Sequence, residues 1–134
     1  MMRKPIEHKL ALLVTCDAAV ETAAREEAAV MGDEIELFQS SREAMSTVIS
    51  GCGGEEFAIV DLEAGPGGRR LLETAAGSLP VLAITAKESP WLSSMLRRHR
   101  IGAALVKPFS PKQLREAFGR VRELSSAVAR FWRK

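Results

Sequence analysis

Three polar residues each come directly after a short apolar run of the sequence: Asp61, Thr85 and Lys107. Two more, Thr15 and Cys16, lie at the end of another apolar run near the N-terminus. If these runs are strands of one parallel sheet, the polar side chains meet at one edge, because ligands and reactive groups collect beyond the carboxyl ends of such strands. A carboxylate, a hydroxyl and an ammonium held together there could bind a ligand or a reacting group. This convergence is the strongest inference that the pattern alone supports.

Five short runs predict the strands that position this cluster: Leu10–Thr15, Glu34–Phe38, Phe57–Val60, Val81–Ile84 and Ala103–Val106. Four of them are almost continuously apolar, as is typical of strands that are buried on both faces of a parallel sheet. The second run alternates charged and apolar residues, which predicts an edge strand.

Helical periodicity fills the segments between the runs. Capping residues mark where four helices begin: Asp17, Ser40 with Glu43, Ser89 before Pro90, and Ser110 before Pro111 with Gln113. A shorter helix is predicted over Arg69–Ala76. Because strands and helices alternate, we expect an α/β sandwich of three layers with right-handed crossovers.

The composition narrows the function classes. The 134 residues suit one compact domain, and a net charge of +2 is too small to indicate a polyanionic partner. No apolar run approaches the length that crosses a bilayer. Cys16 and Cys52 have neither CxxC spacing nor a histidine cluster, so we expect free thiols in a reducing, cytoplasmic compartment. For Cys16, a buried structural thiol is favoured over a redox role.

The segments around the polar cluster resemble the response regulator receiver family of two-component signalling: Phe57–Leu62, Leu79–Ala86 and Gly102–Phe109. The resemblance covers the chain from about Leu10 to Leu124. It implies a flavodoxin-like, doubly wound fold with a five-stranded parallel sheet in the order 2-1-3-4-5. Residues 1–134 would form one receiver-like domain, with a core over 10–124 and an extension of the last helix over 125–134.

The resemblance also implies a role for each polar residue. Asp61 would be the phosphoacceptor, which attacks a phosphorus atom supplied by a histidine kinase or a small phosphodonor. Lys107 would neutralise the phosphoryl oxygens, and the bond from Lys107 to Pro108 would be a cis peptide. Thr85 would be the switch hydroxyl that hydrogen-bonds the phosphate and moves the loop after the fourth strand. No enzymatic activity is expected beyond self-phosphorylation at Asp61.

The sequence departs from the family at the metal site. Thr15 and Cys16 stand where the family carries two adjacent acids that help to hold Mg²⁺. Asp17 is the one compensating acid, and it is better placed to cap the first helix. Because Mg²⁺ prefers carboxylate oxygens in octahedral geometry, we expect weak or absent metal binding, with only Asp61 and the backbone of Glu63 as ligands. Phosphorylation should then be slow or absent, and the domain would act through protein contact.

Two further departures concern the switch. Ala104 replaces the aromatic residue that normally partners the hydroxyl at Thr85. The loop after Asp61 is one residue shorter than usual, and its proline is displaced to Pro66.

Two surfaces suggest partners. The basic run Arg97–Arg100 predicts either complementarity to the helix dipole or an acidic partner on the face of helices four and five. The apolar stripe of the last helix continues to Phe131 and Trp132, which predicts a homodimer contact or a link to another domain. The expected partners are a histidine kinase or another signalling protein, and a second copy of the chain.

Three alternatives remain. The domain could be fully phosphorylatable, with Asp17 or water in place of the missing acids. It could be a flavodoxin-like protein that binds a small molecule or cofactor, although no Ser/Thr/Gly-rich loop follows the first strand. Direct DNA binding is the weakest, because no helix-turn-helix segment is left over.

Overall fold

The computed structural model describes residues 8–50 and 54–132, with the side chains of the last helix described as far as Ser126. Within these residues, strands and helices alternate along the chain: β1 (Leu10–Val14), α1 (Ala18–Met31), β2 (Glu34–Phe38), α2 (Ser41–Ile49), β3 (Phe57–Asp61), α3 (Gly68–Ala76), β4 (Val81–Thr85), α4 (Pro90–Arg97), β5 (Ala103–Val106) and α5 (Pro111–Trp132). No helix in the described ranges has both the length and the apolar character needed to cross a membrane.

All five strands pair in parallel, in the order β2-β1-β3-β4-β5. The predicted fold class and strand order are therefore confirmed, and β2 is an edge strand as its alternating pattern indicated. Strand ends differ from the prediction by one residue. β1 ends at Val14, whereas β3 and β4 extend to Asp61 and Thr85.

The sheet separates two apolar cores. One face packs against α1 and α5, where Phe57 and Phe118 make an edge-to-face contact with ring centroids 5.3 Å apart. The other face packs against α2, α3 and α4. Every residue of β3 and β4 is buried, which explains their continuous apolar sequences, because such strands contact helices on both faces.

The predicted helix caps are present. Oδ1 of Asp17 accepts the Ala19 N–H at 2.9 Å, and the hydroxyls of Ser40 and Ser89 accept N–H groups three residues on, each at 3.2 Å. Ser110 and Gln113 exchange two hydrogen bonds. These local bonds satisfy backbone donors that a helix leaves free in its first turn.

The start of α3 depends on glycine. A Cβ added to Gly68 would lie 2.3 Å from the carbonyl oxygen of Leu62, so no other residue fits without a backbone shift. Gly67, the residue before the helix, has a φ of +87°, which glycine adopts without strain. The loop that leaves Asp61 therefore turns tightly into α3.

Candidate functional site

Four strands deliver polar side chains to the same edge of the sheet. Asp61 and Thr85 are the last residues of β3 and β4, whereas Thr15 and Lys107 directly follow β1 and β5. Asp61, Thr15 and Thr85 are only 1%, 2% and 4% exposed. A buried carboxylate at such a point needs hydrogen bonds or a counter-charge, and its neighbours supply both.

Both carboxylate oxygens of Asp61 accept hydrogen bonds. Oδ2 accepts the Thr15 hydroxyl at 2.8 Å and the Lys107 ammonium at 2.9 Å. Oδ1 accepts the backbone N–H of Glu63 at 3.1 Å. The structure thus brings together three residues that the sequence analysis singled out, and Thr15 serves as a neutral donor where an acid was expected from the resemblance.

Lys107 lies between two carboxylates. Its Nζ is 3.4 Å from Oδ2 of Asp17 as well as 2.9 Å from Asp61. Burial is the largest single influence on the pKa of Lys107, and it lowers that pKa. The hydrogen bonds and negative charges of Asp61 and then of Asp17 together outweigh burial, so the pKa of Lys107 is raised above its ordinary value. Lys107 is therefore a cation held in place by two anions.

Asp17 has two roles at once. One oxygen caps α1, and the other pairs with Lys107. The hydrogen bond from the Ala19 N–H, supported by Lys107, lowers the pKa of Asp17 despite the opposing effect of burial. From the sequence, a helix cap and a compensating acid are competing roles for Asp17, but the two oxygens of one carboxylate allow both.

Thr85 does not hydrogen-bond to Asp61 in the described structure. Its hydroxyl lies 3.0 Å from Oε2 of Glu63 and 3.1 Å from the carbonyl oxygen of Lys87, and both oxygens can accept its proton. Glu63 Oε1 also accepts the backbone N–H of Ala86. The side chain of Glu63 is the site residue that sequence reasoning missed, since only its backbone was considered. The feature of the sequence that could have identified it is an acid two residues after Asp61, on the loop that leaves the same edge of the sheet.

The donor set does not fit Mg²⁺. Asp61 already accepts three hydrogen bonds, Asp17 is shared between a helix cap and Lys107, and Glu63 bonds to Thr85 and Ala86. Over residues 8–50 and 54–132, no three acidic, histidine or cysteine side chains are grouped as metal ligands. The thiol of Cys16 is a soft ligand, whereas Mg²⁺ takes hard oxygens in octahedral geometry.

The prediction of a buried Cys16 is wrong, because this residue is exposed and has a free thiol. It lies in the short connection between β1 and the Asp17 cap, where the chain has left the sheet and the described residues leave its side chain exposed. Cys52, the second cysteine, lies outside the described residues.

The remaining predicted features are located as follows. The Lys107–Pro108 peptide bond is cis. Ala104 is partly buried against the core on the α2, α3 and α4 side. Arg97–Arg100 is exposed at the end of α4. The side chains of Phe131 and Trp132, on which the dimer prediction rests, lie outside the described residues.

Comparison with protein-family models and with curated proteins gives no match for this sequence. Solved structures do match. A CheY-like response regulator receiver domain protein from Methanospirillum hungatei is 20% identical, with a TM-score of 0.75 over 90% of this chain and 98% of that chain. A signal receiver domain from Vibrio parahaemolyticus is 16% identical, with a TM-score of 0.79 over 96% of this chain and 100% of that chain.

A third match is the non-phosphorylated HemR receiver domain from Leptospira biflexa. It is 21% identical, with a TM-score of 0.71 over 84% of this chain and 93% of that chain. At this level of identity the likeness concerns the backbone. The chain therefore has the fold of response regulator receiver domains.

Proposed function

We propose that this protein is a receiver-type signalling domain that acts through protein contact, with Asp61 as its candidate phosphoacceptor. The observation that carries the proposal is the 2.9 Å pair between Lys107 and the buried Asp61 at the carboxyl edge of a sheet with receiver topology. Fold alone does not define function, so the proposal depends on this pair. The domain would comprise residues 1–134, with a core over residues 10–124 and residues 125–134 as its C-terminal extension.

The pair suits acceptance of a phosphoryl group. An oxygen of Asp61 would form a bond to phosphorus while the donor's bond to phosphorus breaks and the leaving group keeps its electron pair. Oδ1 accepts a single backbone N–H, so it is less engaged than Oδ2. Lys107 lies beside the carboxylate, where its charge would offset the added negative charge of the phosphoryl oxygens.

Metal assistance would be weak. Thr15 brings no charge to the site, and the Lys107 ammonium already pairs with the carboxylates of Asp61 and Asp17. Phosphoryl transfer depends strongly on cations that neutralise oxygen charge, so we expect phosphorylation to be slow. Regulation through protein contact then remains the main output of the domain.

The partners follow from this role. A histidine kinase or another signalling protein in the cytoplasm would dock on the domain, and the exposed basic run Arg97–Arg100 suits an acidic surface. A homodimer through α4 and α5, or through the extension of α5, is the further contact we propose. A cofactor-binding role is disfavoured, because the Asp17 carboxylate occupies the N-terminus of α1, where a phosphate would otherwise bind.

The test uses the full chain with phosphoramidate, with and without Mg²⁺, followed by intact mass. A slow gain of one phosphoryl group that Asp61→Asn abolishes would support Asp61 as the acceptor. Absence of any gain would remove the phosphoacceptor role. A rapid, stoichiometric gain that requires Mg²⁺ would contradict the weak metal site.

A further inference from the structure

Helices α2 and α3 pack side by side on one face of the sheet, and a groove of about 490 Å³ lies between them. Its α2 side is a stripe of residues spaced i, i+3, i+4 and i+7: Arg42, Met45, Ser46 and Ile49. Residues about one turn apart line its α3 side: Gly67, Arg70 and Thr74. At 1.5 Å per residue, the stripe on α2 is about 10 Å long.

One end of the groove is positively charged. Both helices start at the carboxyl edge of the sheet, where the N-terminus of each carries the positive end of a helix dipole. Arg42 and Arg70 lie in the first turns of α2 and α3, both are exposed, and neither pairs with an acid among the described residues. Ser41 also lines the groove, and its buried hydroxyl has no hydrogen-bond partner in the described ranges.

The other end of the groove is apolar. Ile49 is 70% exposed, and Met45, one turn before it on the same stripe, is partly exposed. No acidic side chain is among the described residues that line the groove. The groove therefore combines an unpaired positive charge at one end with uncovered apolar surface at the other.

We propose that the groove between α2 and α3 binds an acidic, amphipathic segment of a partner protein. Carboxylates of that segment would pair with Arg42 and Arg70, and apolar side chains would cover Met45 and Ile49. The 10 Å stripe corresponds to about two helical turns, so a helical partner would carry its acidic and apolar residues about seven positions apart on one face.

Charge complementarity selects this occupant over the chain's own C-terminus. Three of the last five residues are basic, namely Arg130, Arg133 and Lys134, so that segment would repel the arginines of the groove. A separate protein with an acidic surface is the occupant that neutralises them.

The groove adjoins the loop that leaves Asp61. Ala64 donates its N–H to the carbonyl oxygen of Asp61 at 3.1 Å, and the Ala64 carbonyl accepts the N–H of Ser41 at 3.0 Å. Pro66 and Gly67, further along the same loop, line the groove. A bound segment would thus contact the loop between Asp61 and α3. Only its meaning for signalling rests on the proposed function; binding itself does not.

Fluorescence anisotropy with the full, unphosphorylated chain tests the binding. The probe is a fluorescein-labelled synthetic helix of about 15 residues, with two glutamates at one end of a face and two leucines at the other end. Arg42→Gln and Arg70→Gln should each weaken binding about 3- to 10-fold, and added salt should reduce this difference. Ile49→Ser should weaken binding about 5-fold, because it removes apolar contact area.

Two matched controls lie on α1, which packs on the opposite face of the sheet. Arg25→Gln removes an exposed arginine, and Val30→Ser removes an apolar side chain that is 79% exposed. Neither should change the affinity. Equal losses in the control and groove variants, or no saturation of the wild type up to about 1 mM peptide, would overturn the proposal.

The position and the occupant need separate measurements. Amide resonances of α2 and α3 should shift on adding the same peptide, and shifts confined to Arg97–Arg100 would overturn the groove as the site. Light scattering of the chain alone tests a second copy: a dimer that Arg42→Glu dissociates would assign the groove to self-association and overturn a separate partner. Neither measurement uses a phosphodonor, so failure of Asp61 to accept a phosphoryl group would leave these results standing.

Discussion

The coupling between Lys107 and Asp61 is the contact on which the site depends, and a double-mutant cycle can measure it. Lys107→Met keeps most of the length of the side chain and removes its charge, and Asp61→Asn keeps the shape of the carboxylate and removes its charge. The free energy of unfolding of the wild type, the two single variants and the double variant gives the interaction energy of the pair.

The structure sets the expected magnitude. The two charges are 2.9 Å apart, Asp61 is buried, and the Lys107 side chain is 21% exposed. Removing one partner of a fully buried pair costs about 3–5 kcal/mol. The cost should be smaller here, because Asp61 keeps two neutral donors when Lys107 is lost and because water reaches the ammonium. We therefore expect Lys107→Met to lower the free energy of unfolding by about 2 kcal/mol, with a coupling energy of about 1.5 kcal/mol.

Urea denaturation followed by far-UV circular dichroism is the assay. The pKa of Lys107 is raised above its ordinary value of 10.5, so its stabilisation is fully present below that pH and is lost as the pH rises through the higher, folded-state pKa. The coupling energy should therefore be constant between about pH 6 and 9. A coupling energy below about 0.5 kcal/mol would refute the reasoning.

A second double-mutant cycle, between Asp17 and Lys107, is the matched control. Asn also caps helices well, so Asp17→Asn removes the charge and retains the cap. The Asp17 side chain is 38% exposed and 3.4 Å from Lys107, so its coupling should be weaker, about 0.3 kcal/mol. The pKa of Asp17 is lowered from 3.8, so this contribution is present above that pH and is lost as the pH falls through the lower, folded-state value.

Three further substitutions probe other parts of the chain. Cys16→Asp places a carboxylate beside the cluster. Mg²⁺ at roughly ten times its dissociation constant for this variant should then stabilise the variant by about 1.4 kcal/mol, as measured by thermal unfolding. The same Mg²⁺ concentration should leave the wild type unchanged. The neighbouring buried carboxyl group of Glu55, together with burial, raises the pKa of Glu36, so folding loses stability as the pH rises above 4.5. Glu36→Gln should therefore stabilise the protein by about 0.5 kcal/mol at pH 7, and this gain should vanish in urea titrations at low pH. Arg122 binds Asp33 through two hydrogen bonds of 2.9 and 3.1 Å, so Arg122→Met should cost about 3 kcal/mol in urea denaturation.

Each of these predictions has a control. Cys16→Ser should show no response to Mg²⁺, and an equal response would contradict a carboxylate effect. Glu34→Gln, on the exposed start of the same strand as Glu36, should not change stability. Arg115→Met removes a 3.7 Å pair of a largely exposed arginine, so its cost should be far below that of Arg122→Met; similar costs would contradict the importance of burial.

Much of the fold follows from local sequence patterns. Apolar runs of four or five residues record strands that are buried on both faces, and Ser40, Ser89 and Ser110 mark helix starts through bonds that span only three residues. The positions of Asp61 and Lys107 at strand ends follow from the same pattern. Hydrophobic burial and local hydrogen bonding leave a periodic signal, so the sequence by itself determines these features.

The pairing within the site was decided by the tertiary structure. The sequence placed Thr85 beside Asp61, but its hydroxyl bonds to Glu63, and Asp17 both caps a helix and binds Lys107. Cys16, expected to be buried, is exposed. The Thr85–Glu63 and Asp17–Lys107 contacts join residues that are 22 and 90 positions apart, and they depend on where the loops run beyond the strand ends. A change of about 1 Å in the donor–acceptor distance decides whether a hydrogen bond forms. No local pattern of residue types specifies distances that finely between loops that leave different strands.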